Sequence, residues 1–177
     1  MFPKATVIGD KEIDATTPAW PVYQLNELIG YAYESRDLVD FPGFSGETMN
    51  FLIGIDMGGG IRGVEVLYHH EPIFMHGLGP QPLLDFLTQY GGHGITEQIV
   101  VGKGRGAGSN EVTYFDGVTK ATVSVNIAND TVLVSALKVA RDRIEAFAQS
   151  APAEVREDVF ETRSWEQLLE QGLVQRW

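Results

Sequence analysis

Three clusters in the 177-residue chain carry side chains able to do chemistry. The first is Asp116-Gly117-Val118-Thr119-Lys120-Ala121-Thr122, two hydroxyls and a cation beside a small residue. Asp-Gly signals a turn, because Gly tolerates positive φ and Asp bonds its own backbone. Beyond it Ala121, Val123, Val125 and Ile127 alternate with Thr122, Ser124 and Asn126, and this period of two predicts a half-buried strand. The Thr122 hydroxyl then stands at the start of a stiff element, beside Ala121 and Lys120, where a large anion can approach it. The spacing alone equally allows an ordinary turn and strand with a surface Thr.

The second cluster is His69-His70-Glu71-Pro72 with His76 close behind. Its residue types invite a metal, but adjacent strand residues point to opposite faces, so His69 and His70 cannot share one ion without a bend. A preformed site also needs several convergent ligands and an outer shell that orients them. The reading is therefore that one His and Glu71 supply hydrogen bonds in a pocket, with a His/Glu metal-binding module as the alternative. The third cluster, Gly102-Lys103-Gly104-Arg105-Gly106-Ala107-Gly108-Ser109, fits a relaxed G-x-G-x-x-A pattern. A dinucleotide fingerprint requires a helix directly after the glycines. Glu111–Phe115 reads as a strand, so that site is rejected. A basic hairpin loop is the expectation, with Lys103 or Arg105 reaching a phosphate as the alternative.

Several elements must position these groups. Ile29, Tyr31 and Tyr33 alternate through a strand from Leu28 to Ser35, and Phe41-Pro42-Gly43-Phe44-Ser45-Gly46 is a loop with two aromatics. Met49–Asp56 and Ile61–Tyr68, joined through Met57-Gly58-Gly59-Gly60, form a hairpin. Pro80 and Pro82 open a helix whose apolar face is Leu83, Leu84, Phe86, Leu87 and Tyr90, and Ile95–Val101 is a further strand. Asn129 or Asp130 caps a long helix with a stripe of Leu133, Leu137, Ala140, Ile144 and Phe147. Ala151-Pro152-Ala153 breaks it, and Ser164-Trp165-Glu166-Gln167 resembles a capping box opening a short helix. The pattern is α+β: a mostly antiparallel sheet packed by a long and a shorter helix. Residues 1–150 form the domain, with 1–20 a surface arm, and 151–177 a helical C-terminal extension.

Composition narrows the partners. A net charge of −11 repels nucleic acid and anionic membrane surfaces, and an acidic face can instead steer a basic protein. The chain has no Cys, which excludes disulfides, thiolate-bound zinc and Cys-held iron–sulfur clusters on it. No apolar run approaches the roughly 20 residues of a membrane span, and Met1-Phe2-Pro3-Lys4 does not begin a signal peptide. If the domain is exported, its signal is absent from this sequence.

Asp116, Thr119, Ala121 and Thr122 match the Asp-x-x-(Ser/Thr)-x-Ala-Thr motif of FMN-binding domains. The family's commonest form has Gly where this chain has Lys120. Gly30-Tyr31, the Phe41–Gly46 loop, His70-Glu71-Pro72, Gly77-Leu78-Gly79 and the Thr motif occur in the order seen in the FMN domain of NosR/NirI-type proteins. Glu71-Pro72 and Gly77-Leu78-Gly79 are more distantly similar to a stretch of the NqrC/RnfG redox subunits. The resemblance implies FMN held by a phosphoester bond on Thr122, in a periplasmic domain of a bacterial inner-membrane protein supporting nitrous oxide reduction in denitrification. It implies an electron carrier more than a stand-alone enzyme, and residues 151–177 would lead to a missing membrane region. Attachment would fall to a flavin transferase using FAD and a divalent ion. Nitrous oxide reductase or its maturation factors would be the redox partner. Thr119 and backbone N–H groups of the turn would bond the phosphate, Lys120 would offset its charge, Asp116 would set the turn, and Ala121 would leave room beside the hydroxyl. The ring would rest among Phe44, His70, Glu71 and Leu78. A flavin-free interaction or maturation domain on the same fold is the alternative, kept open by Lys120.

Overall fold

A computed structural model describes residues 1–102, 112–148 and 164–170. Strands β1 (Val7–Ile8), β2 (Trp20–Gln24), β3 (Glu27–Glu34), β4 (Asn50–Asp56) and β5 (Ile61–Tyr68) form one sheet in that spatial order, every pair antiparallel. Alternation decides which face is buried: Tyr31, Tyr33, Phe51, Ile53 and Ile55 point inward, while Ala32, Glu34, Leu52 and Gly54 lie on the other face. After β5 come a π-helical turn at Ile73–Gly77, α1 (Gln81–Thr88), and the short strands β6 (Gln98–Val101) and β7 (Val112–Phe115). The long helix α2 (Thr122–Arg143) follows, then α3 (Glu145–Ala148) and α4 (Trp165–Glu170).

The core lies between the sheet's inner face, α1 and α2. Val125, Ala128, Val132, Ala136 and Val139 on α2 are wholly buried, at three- and four-residue steps. Small residues let the helix backbone approach the sheet, and the Tyr33 hydroxyl lies 3.4 Å from Ser135 Oγ. Tyr90 donates to Asn129 Oδ1 at 2.8 Å, tying the end of α1 to the middle of α2. Burial pushes both phenols upward from their ordinary pKa, so they remain neutral donors.

Several expectations are corrected here. The segment 121–127 is not a strand: α2 begins at Thr122, and Asn129 lies within it rather than capping it. Leu133 and Leu137 are only partly buried, because the inward face is built from smaller residues. Strands β6 and β7 pair in parallel, Gln98 with Val112 through Val101 with Phe115, which a hairpin cannot do. Lys103 and Arg105 lie outside the described residues, as does the 151–153 break. The 1–20 segment is more than a surface arm, since Val7 and Ile8 form the sheet's edge strand. Helix α2 holds no continuous apolar run of membrane-spanning length, though by length and mean hydropathy alone it could cross a membrane. In its apolar window 56 % is buried, as befits a core helix.

The capping box at α4 forms as read. Ser164 N–H donates to Gln167 Oε1 at 2.9 Å, and Gln167 N–H to Ser164 Oγ at 3.3 Å.

Candidate functional site

Thr122 occupies the first helical position of α2, with an exposed side chain. Ala121 precedes it as N-cap and offers no side-chain hydrogen bond. The first backbone bond of this helix runs from Val125 N–H to Ala121 C=O at 3.0 Å. The N–H groups of the preceding turn thus have no intrahelical acceptor, and the helix presents its positive end here. The turn leading in is tight: Ala121 N–H donates to Val118 C=O at 3.0 Å, and Lys120 adopts φ 72°. An L-residue in this left-handed region is strained by about 1–2 kcal/mol, and Gly is not.

Beside this helix start lies a cavity of about 590 Å³, within the roughly 300–1,000 Å³ of small-molecule sites. Lys120, Ala121, Thr122, Val123 and Ser124 form one wall. Phe44 forms another, 72 % exposed on its loop, and Pro72, Ile73, His76 and Gly77 of the π-helical turn complete it. The walls are mostly apolar, with hydroxyls and a cation gathered at the helix end.

Glu71 sits behind this surface rather than on it. It is 0 % exposed, accepts the Ser124 hydroxyl on Oε2, and accepts Ser45 N–H on Oε1 at 3.4 Å. Its backbone N–H donates to His69 Nδ1 at 3.3 Å. Burial holds the His69 pKa below its ordinary value, outweighing the opposing pull of Glu71, and a neutral ring matches the acceptor role of Nδ1. His70 turns away, its Nδ1 2.6 Å from Glu47 Oε1, while the Tyr68 hydroxyl donates to Glu47 Oε2. These bonds, Tyr68 first, hold the Glu47 carboxyl below its usual range, and Glu47 in turn raises the Tyr68 phenol.

A profile of the FMN-binding domain family matches residues 43–134, from the Phe44 loop to the middle of α2. This chain is an FMN-binding domain. The match covers every wall of the cavity just described. Over 99 % of its length the chain is 39 % identical to "Regulatory protein NosR" of Stutzerimonas stutzeri, and 34 % identical to "Regulatory protein NosR" of Pseudomonas aeruginosa. It is 22 % identical over 72 % of its length to "Protein NirI" of Paracoccus denitrificans. It spans 24 % of each NosR relative. NqrC of Shewanella oneidensis has a related solved structure, with TM-score 0.47 and 15 % identity, covering 74 % of this chain and 63 % of that one.

The residues of this FMN-binding domain suit both ends of FMN. Free N–H groups at a helix start, a cation and an uncapped end suit a phosphate. An apolar cleft lined by Phe44, Pro72 and Ile73 suits a flat ring. Of the residues singled out in the sequence, Phe44, Lys120, Ala121 and Thr122 meet at the cavity. Others do not. Asp116 is held by Gln89, through its N–H at 2.7 Å and its C=O at 3.1 Å, on a separate surface. Thr119 is exposed in the turn, His70 faces Glu47, and Leu78 is exposed just past the π-helical turn; none lines the cavity. The expected ring contact from Glu71 is replaced by a buried brace, because Ser124 stands between it and the cleft. Among the described residues no group of three or more His, Asp or Glu side chains is placed to hold a metal.

Sequence reasoning did not single out Ile73, Val123 or Ser124, and it weighed His76 only as one member of the His/Glu cluster. Reading Pro72 as the start of a helical turn would place His76 one turn on, as it does for Pro82 in α1. Reading 122 onward as helix would have placed Ser124 in the first turn.

Proposed function

We propose that this domain carries FMN on Thr122 through a phosphoester bond and passes electrons to a partner protein. One observation carries the reading: an exposed Thr hydroxyl occupies the first position of an uncapped helix and opens onto an apolar cleft of ligand size. A Thr hydroxyl is a poor nucleophile at neutral pH without a base or metal. No carboxylate or imidazole is hydrogen-bonded to Thr122 among the described contacts, which favours attachment by a separate flavin transferase. In that reaction Thr122 Oγ bonds the FMN-side phosphorus of FAD, the anhydride bond breaks, AMP leaves with the bond electrons, and the hydroxyl proton is released.

The chain's own part is to hold what is attached. Backbone N–H groups of α2's first turn and the Lys120 ammonium neutralise the phosphate. Phe44, Pro72 and Ile73 shelter the ring from water, and His76 offers a hydrogen bond at the rim. A tether gives an effective concentration on the order of millimolar, so a shallow cleft is enough for full occupancy. The flavin supplies one- and two-electron chemistry when bound.

The likeness to the NosR relatives supports a role in denitrification. We assign it to the periplasmic side of an inner-membrane protein, as a redox module serving nitrous oxide reductase or its maturation. Residues 1–150 are the flavin domain, and 151–177 lead toward the membrane part. Intact mass after co-expression with a flavin transferase tests the attachment. The wild type should gain one FMN phosphoester, and Thr122→Val should gain none and be colourless after unfolding and gel filtration. A Thr122→Val protein that stays yellow would place the bond elsewhere.

A further inference from the structure

Among the described residues Glu71 is the one buried carboxylate, and no step above uses it. Its position is unusual because its two donors come from opposite walls of the cavity. Ser45 N–H belongs to the loop that carries Phe44, and the Ser124 hydroxyl to the first turn of α2, which carries Thr122. The loop is closed on itself by Gly43 N–H to Glu47 C=O at 2.8 Å and Gly46 N–H to Gly43 C=O at 3.0 Å. These two bonds tie the ends of the loop together. A Cβ at Gly43 would collide with Glu71 Oε1, so the loop backbone is seated directly on the carboxylate. The same loop is held on its outer side by Glu47, through His70 and Tyr68.

We propose that Glu71 is a positioning residue that couples the Phe44 loop to the start of α2. The gap between those walls fixes how firmly a flavin anchored on Thr122 is gripped. The gripping half rests on the function proposed above; the coupling half does not. Two donors converge on two acceptor oxygens; an amide at residue 71 can accept from Ser45 N–H and turn its own N–H toward Ser124 Oγ, which can accept it, so the decisive lesion is loss of the Ser124 hydroxyl. Loss of the Ser124 hydroxyl removes the helix-side bond and leaves the loop-side bond in place.

Two measurements decide this. In the flavin-free protein, amide hydrogen exchange is followed in 43–47 and 121–126 for wild type, Ser124→Ala and Glu71→Gln. Ser124→Ala should speed exchange in the loop on the far wall, on the order of fivefold, the scale of one lost hydrogen bond. Unchanged exchange in 43–47 would overturn the coupling, and Ser124→Ala keeps the test open if Glu71→Gln does not fold. In flavin-loaded protein, matched by mass for full occupancy, Ser124→Ala should show lower flavin fluorescence anisotropy and weaker visible circular dichroism. Loop exchange that rises while anisotropy stays at the wild-type value would overturn the gripping role. If wild type accepts no flavin at Thr122, the proposed function fails, and the exchange comparison still decides whether Glu71 couples the walls.

Discussion

The two ends of α2 are finished in opposite ways. At its C-terminal end Arg143, only 8 % exposed in its side chain, donates from Nε to Thr17 C=O at 2.8 Å and to Thr17 Oγ1 at 2.9 Å. It also pairs with Glu12 at 2.5 Å and lies over the Tyr31 ring at 5.1 Å, while the Thr17 hydroxyl donates to Asp142 at 2.6 Å. A cation there also complements the negative end of the helix dipole. At the N-terminal end nothing comparable is present among the described residues: the N-cap is Ala121, Thr122 and Val123 are exposed, and the cavity begins. One end ties the N-terminal segment down and serves stability. The other leaves donors and a hydroxyl unpaired, which costs stability and leaves room for a ligand.

This contrast can be broken experimentally, and the largest effect belongs to the open end. Thr122→Val should abolish flavin attachment by intact mass, yet move the urea midpoint by less than about 0.5 kcal/mol equivalent, since the side chain is exposed. Arg143→Ala should do the reverse. It removes several bonds to a charged group at a mostly buried site, so a loss of about 2–3 kcal/mol in urea unfolding is expected with attachment intact. Lys120→Gly should stabilise by about 0.5–1 kcal/mol in the same assay, because release from the left-handed strain exceeds the added freedom of the unfolded chain. The same change removes the cation beside the proposed phosphate, and the midpoint potential of loaded protein should fall.

The smallest effect is in pH dependence. His69 has a folded pKa lowered from 6.5, so its contribution is complete above that value and is lost as pH falls below it. Glu34, Glu47 and Glu97 have folded pKa values lowered from 4.5, so theirs persist to lower pH and are lost as pH falls through the depressed values. Melting temperature should therefore decline in two stages on acidification. His69→Gln should flatten the upper stage and leave the lower one.

The central sheet was legible because its alternation is strong and bounded by glycines: β3, β4 and β5 lie where Tyr31, Ile53 and Val64 indicated. The start of α2 was not, because Ala121 to Ile127 satisfies a period of two by chance. The helical period is masked by buried polar residues. Thr131 and Ser135 count as polar in a pattern, yet each satisfies its hydroxyl inside the helix, on Ile127 C=O at 2.7 Å and Thr131 C=O at 2.6 Å. The Thr motif therefore singled out a hydroxyl that does line the cavity, but it stands on a helix and not on the expected strand. The consequence is favourable to an anion, since a helix start offers free N–H groups and a strand start does not. Glu71 was recognised by type, but its burial behind Ser124 depends on a contact across 53 positions of sequence that no local pattern reveals.

On the sheet's outer face, Phe2 lies against Gly30 and Gly54, and Met1 against Gly54 and Gly63, so closely that a Cβ at any of the three would press on them. Gly54 and Gly63 are direct partners across β4 and β5. The furrow that receives Met1 and Phe2 thus exists only in one alignment of the strands. A slip by a single residue would move one glycine out of line and shut the slot. Those two side chains act as a key that fits only the correctly zipped sheet, and a probe at residue 2 would report when that zipping is complete.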